Sequence, residues 1–263
     1  MSNHFHLVLH VDVENAEAWS FDEVIDRWLM LYKGPDLAHS YKAGDPLATL
    51  EQDALTTLVS LWRARLANLS WYMRCLNETI ARMANREDQC TGRFWEGRFK
   101  SQALLDEAAL VSCMAYVDLN PIRAKLSKSL EESEFTSIQE RLASYQSRAA
   151  TLEVGPWLKP LQQERQLSSS SSLPIQEADY FALVDWTGRS IRAGKPGTIP
   201  AHVQPILQKL GVNEANWVNN TQHFGNRFYR ALGRAHQIRK LAYLTKSKWI
   251  NGLSLAKQFC ASN

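Results

Sequence analysis

One helical stretch of the sequence carries a phenol and a carboxamide one turn apart. Tyr116 and Asn120 are four residues apart in a segment that begins at Asp106, an acceptable N-cap, and ends before Pro121. Side chains at this spacing project from the same helical face. The tyrosine is a nucleophile or a packing residue, and the asparagine is a metal ligand, a C-terminal cap or a turn residue before proline. Taken alone, the segment favours the packing interpretation.

The segment 4–11 alternates in the manner of a β-strand. The alternation sends one set of side chains into a core and the other set to the opposite face; these sets are Phe5, Leu7, Leu9 and Val11, and His4, His6, Val8 and His10. Two imidazoles two residues apart on one strand face, His4 and His6, can share one divalent ion. A half-exposed strand that merely carries histidines is the alternative, and an isolated pair favours it.

A second predicted strand, 92–105, interleaves basic and aromatic residues and has a candidate bulge at Gly97. The candidate nucleic-acid contacts on it are Arg93, Trp95, Arg98 and Lys100. Phosphates require positive charge and unstacked bases require flat apolar surfaces, so this alternation is typical of a groove for single-stranded DNA. A half-buried strand produces the same alternation. Arg123, just after the tyrosine helix, is a further candidate phosphate contact.

Three motifs occur in a fixed order: Met-Ser-Asn-His-Phe-His-Leu-Val-Leu at 1–9, Gly-Arg-Phe-Trp-Glu-Gly-Arg-Phe-Lys at 92–100, and Ala-Tyr-Val-Asp-Leu-Asn-Pro-Ile-Arg-Ala at 115–124. Together they resemble the single-tyrosine transposases of the His-hydrophobic-His superfamily, and most closely the REP-associated tyrosine transposases, over roughly the first 145 residues. By this resemblance His4 and His6 match the histidine pair and Tyr116 matches the nucleophile. Asn120 matches the polar residue that completes the metal site.

The resemblance implies cleavage of single-stranded, hairpin-forming DNA, in which Tyr116 attacks a backbone phosphate to give a 5′-phosphotyrosine and a free 3′-hydroxyl. Free tyrosine has a pKa of about 10 and is a poor nucleophile, so this reaction needs an ion on the phosphate and positive charge nearby. Two imidazoles and one amide oxygen leave coordination positions open, which suits Mg²⁺ or Mn²⁺ more than a closed zinc site. The resemblance also leaves open a homodimer whose partner supplies the tyrosine.

The fold that the resemblance implies is α+β. It consists of an antiparallel sheet with helices, arranged as a ferredoxin-like palm, followed by an all-α C-terminal region. In the family a strand, a helix and a further strand precede the histidine strand, whereas here that strand follows Met1 directly. We therefore expect a palm that is incomplete at its N-terminus, with a shortened reading frame as the simplest explanation, and a chain whose activity depends on the absent elements.

The composition predicts three regions. Residues 1–150 form the transposase-like nuclease domain, 151–175 form a linker that contains serine and proline, and 176–263 form a basic helical domain. Residues 174–263 contain 12 Lys and Arg against 4 Asp and Glu, whereas residues 1–173 contain 18 against 23. Arg230 and Arg234 are candidate phosphate contacts in this basic region, and a merely soluble basic cap is the alternative.

Several classes of protein are disfavoured by the sequence. No apolar run approaches the roughly 18 residues that a membrane span requires, so we expect no membrane partner. The four cysteines are scattered without a Cys-x-x-Cys pair, which predicts a reducing cytoplasm. Two alternatives to a DNA-cleaving enzyme stay open: an inactive remnant that only binds DNA, and an RNA-binding or interaction module on a related scaffold.

Overall fold

The computed structural model of this chain describes residues 4–146, 158–162, 172–193, 199–224, 230–248, 250–253 and 256. Of these residues, 61% are helical and 5% are in strands. The chain divides into two compact units. The tyrosine unit comprises Met1–Val8 with Ser101–Asn263, and the inserted unit comprises Leu9–Lys100.

The secondary structure is mostly short helices. In the inserted unit the helices are α1 (Val13–Ala18), α2 (Phe21–Leu31), α3 (Asp36–Ala43), α4 (Thr49–Leu66) and α5 (Leu69–Glu87). In the tyrosine unit they are α6 (Glu107–Asp118), α7 (Asn120–Arg123), α8 (Ser137–Gln146), α9 (Glu177–Ala193), α10 (Gln204–Leu210), α11 (Glu214–His223) and α12 (Ala235–Leu244). The strands are β1 (Ala103–Leu104), β2 (Leu161–Gln162), β3 (Leu173–Gln176) and β4 (Ala231–Leu232).

The inserted unit is organised by the packing of α2 on α4. A capping box opens α2: the Glu23 N–H donates to Ser20 Oγ at 3.2 Å, and the Ser20 N–H donates to Glu23 Oε2 at 2.6 Å. Trp28 of α2 and Trp62 of α4 are buried and stack with their ring centroids 5.1 Å apart. Such a pair contributes both buried apolar area and a favourable ring geometry.

The tyrosine unit has its core around α6, α9 and α11. Helix α6 is buried on most of its circumference, as expected for a helix that is apolar nearly all round. Trp217 of α11 is fully buried, and its indole N–H donates to Thr187 Oγ1 of α9 at 2.9 Å. Leu119, at the end of α6, packs so closely on α9 that a Cβ on Gly188 would lie 3.0 Å from Leu119 Cδ2. These contacts fix α6 inside the unit.

A short parallel strand pair joins distant parts of the tyrosine unit. Ala103 of β1 pairs with Ala231 of β4. Asp106, which follows β1, accepts the Ala109 N–H at 2.9 Å and so caps α6, and its other oxygen accepts the Arg234 N–H at 2.6 Å. One carboxylate therefore ties the start of α6 to the start of α12.

The predicted antiparallel palm is wrong. The described residues contain only two small parallel sheets, β1 with β4 and β2 with β3, and the C-terminal region that was predicted to be all helical contains β4. The alternating pattern is a local signal, whereas a sheet needs partner strands in register. The predicted strand at 92–105 is a strand only at Ala103–Leu104.

The histidine segment is likewise irregular where a strand was predicted. Val8 packs against the core of the tyrosine unit, whereas Leu7, Leu9 and Val11, which were predicted to enter a core, are exposed. Without a neighbouring strand, the backbone has no pleat to alternate the side chains.

The predicted linker, 151–175, lies mostly outside the described residues, so the predicted domain boundaries stay a prediction. Among the described residues, no helix is both long and apolar enough to cross a lipid bilayer.

Leu119→Ala should destabilise the tyrosine unit by about 2–5 kcal/mol, because Leu119 is fully buried against α9 and its truncation leaves a cavity. Urea unfolding followed by circular dichroism measures the change. Leu126 is 63% exposed, so Leu126→Ala is the matched control, with an expected change within about 0.5 kcal/mol. Equal effects of the two substitutions would contradict this packing.

Candidate active site around Tyr116

Helix α6 presents Tyr116 near its C-terminal end, where the side chain is largely buried. The helix begins at the Asp106 cap and ends at Asp118, close to the limits that the sequence predicts. Pro121 then lies in the first turn of the short helix α7, a position where the missing N–H of proline is tolerated. The chain therefore stays helical through the tyrosine and the residues that follow it.

Three side chains contact the Tyr116 ring, namely His6, Arg123 and Phe224, and His4 lies beside His6. The His6 and Tyr116 ring centroids are 5.3 Å apart in an edge-to-face arrangement. Phe224, at the end of α11, stacks on Tyr116 with a centroid distance of 5.2 Å. The Arg123 guanidinium lies 4.6 Å from the Tyr116 ring centroid, and the His4 ring lies 5.2 Å from that of His6. The predicted histidine pair and the predicted nucleophile thus share one site.

Arg123 supplies positive charge beside the phenol. One guanidinium nitrogen donates to the Gln222 carbonyl at 2.6 Å, which orients the side chain across the site. Among the described residues, no carboxylate lies within ion-pair distance of Arg123. A guanidinium carries five N–H donors in a planar fork that matches phosphate oxygens. Its uncompensated charge therefore suits an anionic ligand at Tyr116.

His6 is a neutral imidazole with an unused nitrogen. Burial lowers the pKa of His6, and the positive charges of His4 and Arg123 lower it further. Its Nε2 atom is buried and has no hydrogen-bond partner among the residues that the structure describes. A buried nitrogen in this state is costly unless a ligand satisfies it, and a neutral imidazole nitrogen is a common metal ligand.

Asn120 lies one helical turn after Tyr116, as the first residue of α7, and is buried. In the described part of the chain, no three His, Cys, Asp or Glu side chains cluster closely enough to hold a metal ion. The ligand set of His4, His6 and the Asn120 amide oxygen stays what the resemblance implies. The unsatisfied His6 Nε2 is the structural feature that fits such an ion.

A buried carboxyl on α6 anchors the helix that carries the tyrosine. Asp118 accepts hydrogen bonds from Ser137 Oγ at 2.6 Å, the Ile138 N–H at 3.1 Å and Tyr180 Oη at 2.5 Å. Burial raises the pKa of Asp118, although these hydrogen bonds and the nearby charge of Arg141 oppose the rise. Burial and the Asp118 charge raise the pKa of Tyr180 well above its usual value. The network joins α6 to α8 and α9.

The four candidate contacts on the predicted basic strand, Arg93, Trp95, Arg98 and Lys100, belong to the inserted unit. The Arg93 guanidinium donates to the Trp95 carbonyl at 2.7 Å and to the Glu96 carbonyl at 2.6 Å, which closes a local turn. The Trp95 indole N–H donates to the Asn77 carbonyl at 2.9 Å. Arg98 and Lys100 are exposed. Arg93 and Trp95 thus make contacts within the fold, and Arg98 and Lys100 stay candidate phosphate contacts.

Arg230 and Arg234 lie in the tyrosine unit on either side of β4, and both are exposed. The Arg230 carbonyl accepts the Ala103 N–H at 3.0 Å, and Arg234 is the N-cap of α12. Their backbones join β4 and α12 to the start of α6, while their side chains are open to solvent.

Two contributors to the site are not evident from the sequence. Phe224 follows Tyr116 by more than a hundred residues, and no local pattern links it to the tyrosine. Asp118 offers a clue, because a carboxyl within the apolar stretch Ala-Tyr-Val-Asp-Leu needs buried donors if the helix is enclosed. No pattern in the sequence identifies Tyr180 as one of the residues that donate a hydrogen bond to Asp118.

Comparison with protein-family models, with curated proteins and with solved structures gives no match to this chain.

His6 should titrate below its ordinary value of 6.5, because burial and two nearby cationic groups disfavour the imidazolium. Proton–nitrogen NMR of the imidazole over a pH series measures the midpoint. Arg123→Gln removes one of the cations and should raise the His6 pKa, whereas the exposed Lys125→Gln should leave it unchanged. A midpoint at or above 6.5 in the wild-type chain would show that His6 is not enclosed.

Cys113 should resist alkylation at pH 8, because burial and the charge of Asp118 raise the pKa of its thiol to about 12 and only the thiolate reacts. Cys90 is exposed and serves as the internal reference. Iodoacetamide labelling followed by peptide mass spectrometry should find Cys90 modified much faster than Cys113 at pH 8. Equal labelling rates would contradict the buried environment of Cys113.

Proposed function

We propose that this chain is a single-strand DNA endonuclease and strand transferase of the transposase type, with Tyr116 as the nucleophile. One observation carries the proposal: the His6 ring lies 5.3 Å from the Tyr116 ring, although the two residues are far apart in sequence. The motifs that suggest this chemistry are local in sequence and say nothing of the distance between them in space. A chance resemblance has no reason to bring the histidine pair to the tyrosine.

Arg123 would bind the scissile phosphate. Its guanidinium lies over the Tyr116 ring and is held by the Gln222 carbonyl, which leaves other N–H donors for phosphate oxygens. In the transition state the oxygens on the five-coordinate phosphorus become more negative. A positive charge that is already held beside them lowers the activation barrier more than a charge that must move into position after the substrate binds. Phe224, stacked on the phenol, would hold the Tyr116 ring in one orientation for attack.

His4, His6 and Asn120 would hold a Mg²⁺ or Mn²⁺ ion. When bound, such an ion polarises the phosphate and neutralises part of its charge. The protein's own contribution is a neutral His6 with an unpaired, buried nitrogen, and a buried amide one turn beyond the nucleophile.

The proposed reaction conserves the energy of the phosphodiester. The Tyr116 oxygen attacks phosphorus, the phenol proton is lost, and the bond from phosphorus to the 3′ oxygen breaks. The leaving oxygen takes up a proton and becomes a free 3′-hydroxyl, while the 5′ phosphate stays on Tyr116. A second 3′-hydroxyl can then attack the phosphotyrosine, which reseals a strand and restores the phenol. This exchange is what transposition or recombination requires, and hairpin-forming single strands are the proposed substrate.

A second candidate is a protein that binds DNA without cutting it. The observation that favours it is the irregular histidine segment, because an unpaired segment holds its imidazoles less rigidly than a sheet would. The two candidates share the DNA contacts and differ in the covalent step.

A hairpin oligodeoxynucleotide incubated with the chain in Mg²⁺ or Mn²⁺ should form a covalent adduct that survives denaturing electrophoresis. Tyr116→Phe should abolish the adduct, because it removes the attacking oxygen. Arg123→Gln should slow adduct formation by about 100-fold, since it removes one charge that stabilises the transition state. His6→Ala should reduce it strongly in the same assay.

Tyr72→Phe is the matched control, because Tyr72 is 46% exposed on α5 of the inserted unit and lies outside the proposed site. It should leave adduct formation unchanged. Salt-sensitive hairpin binding with no adduct in either metal would refute the enzyme and support the binding protein. An adduct that persists in Tyr116→Phe would place the nucleophile elsewhere.

A further inference from the structure

Helix α12 divides into a packed face and an exposed face. Ile238 is buried, and Ala235, Leu241 and Ala242 pack beside it in a small core with β4. His236, Arg239, Lys240 and Tyr243 face solvent at helical spacing along the other side, and Leu244 at the end of the helix is also exposed. Tyr243 is 84% exposed, which is unusual for so large an aromatic side chain.

The charge around this face has a single sign. From Ala215 to Asn263 the sequence contains no Asp or Glu, and its basic residues are Arg227, Arg230, Arg234, Arg239, Lys240, Lys246, Lys248 and Lys257. Among the described residues, Arg239 and Lys240 have no carboxylate within ion-pair distance. Such a concentration of unpaired cations attracts a polyanion.

We infer that the exposed face of α12 binds the phosphate backbone of single-stranded DNA, as an accessory surface separate from the Tyr116 site. This inference rests on the proposed function for the identity of the polymer. Arg239 and Lys240 would contact phosphates, and Tyr243 would provide a flat apolar surface on which a base stacks. Affinity from such contacts does not depend on base sequence, so the surface would hold any strand that reaches it.

The geometry within the tyrosine unit favours one continuous strand. Asp106 joins the start of α12 to the start of α6, and Tyr116 lies ten residues further along α6. That separation is about 15 Å along the helix axis, at about 1.5 Å per residue. Phosphates of one strand lie about 3.4 Å apart along a duplex axis and farther apart in an extended single strand, so a strand held at Tyr116 reaches the start of α12 within a few nucleotides.

Two alternatives fit less well, a lipid surface as the ligand and the cavity at the start of α12 as the phosphate site. A basic amphipathic helix binds a lipid surface through a continuous apolar face, but Ala235, Ile238, Leu241 and Ala242 of α12 are packed in the core, and the exposed apolar side chains of this helix are those of Tyr243 and Leu244 at its end. A cavity of about 230 Å³ at the start of α12 has Asp106 and Glu107 in its lining together with Lys209 and Arg234. Because these charges offset one another, we assign the phosphate contacts to the exposed face beyond the cavity.

The salt dependence of DNA binding tests the inference. The full chain, in a chelating buffer that prevents cleavage, is titrated with a labelled single-stranded oligodeoxynucleotide of mixed sequence at several salt concentrations. The double variant Arg239→Gln/Lys240→Gln should bind more weakly and reduce the slope of log K against log salt by about 1.4, or about 0.7 for each phosphate that is no longer neutralised. Tyr243→Ala should weaken binding about five-fold or more without changing the slope, and Tyr243→Phe should retain it.

Lys33→Gln/Arg86→Gln is the matched control, because it removes two exposed positive charges from the inserted unit. Equal slopes for the two double variants would overturn the inference. Tighter binding of a matched RNA oligonucleotide, or α12-dependent binding only to vesicles of anionic lipid, would overturn the assignment to DNA. The two proposals can fail separately. Absence of the hairpin adduct would refute the proposed function and would leave the binding slopes unaffected. A normal adduct with equal slopes would refute only the surface on α12.

Discussion

The tyrosine unit depends on how one buried carboxyl is satisfied. A carboxylate removed from water is costly unless hydrogen bonds and nearby charge replace its hydration. Asp118 receives three donors, from Ser137, Ile138 and Tyr180, so α6 is held to α8 and α9 at a fixed rotation. Two residues earlier, roughly 200° around the helix, Tyr116 points to the opposite side. The rotation that satisfies Asp118 is therefore the one that turns the phenol toward His6.

The site that results is polarised in a way that suits phosphate chemistry. His6 is kept neutral by burial and by neighbouring positive charge, while Arg123 retains a full charge that no described carboxylate offsets. A neutral imidazole nitrogen and a fixed cation beside the same tyrosine ring would serve different ligands under the proposed function, a metal ion and a phosphate oxygen. Among the described residues the buried His6 nitrogen has no hydrogen-bond partner, a cost that a ligand would relieve.

The sequence predicted local structure well and long-range pairing poorly. The cap at Asp106 and the stop near Pro121 predicted α6 closely, because capping and proline effects act within a turn. The alternation at 4–11 predicted a strand that does not form, since alternation describes faces and cannot supply a partner. The spacing of Tyr116 and Asn120 followed from helical geometry alone. Phe224 could not be predicted, because its contact with Tyr116 arises only when α11 packs on α6.

The pairing of β1 with β4 has a consequence for how the chain acquires its structure. Ala103 cannot pair with Ala231 until Ala231 has been synthesised. The Asp106 carboxylate at the start of α6 likewise receives its hydrogen bond from the Arg234 N–H only when Arg234 is present. Contacts between such distant positions carry a large loop-closure cost and slow the search for the native state. The inserted unit can condense early during synthesis because its contacts are nearer in sequence. The tyrosine unit would close last, so a ribosome-bound nascent chain would not yet contain an assembled site around Tyr116.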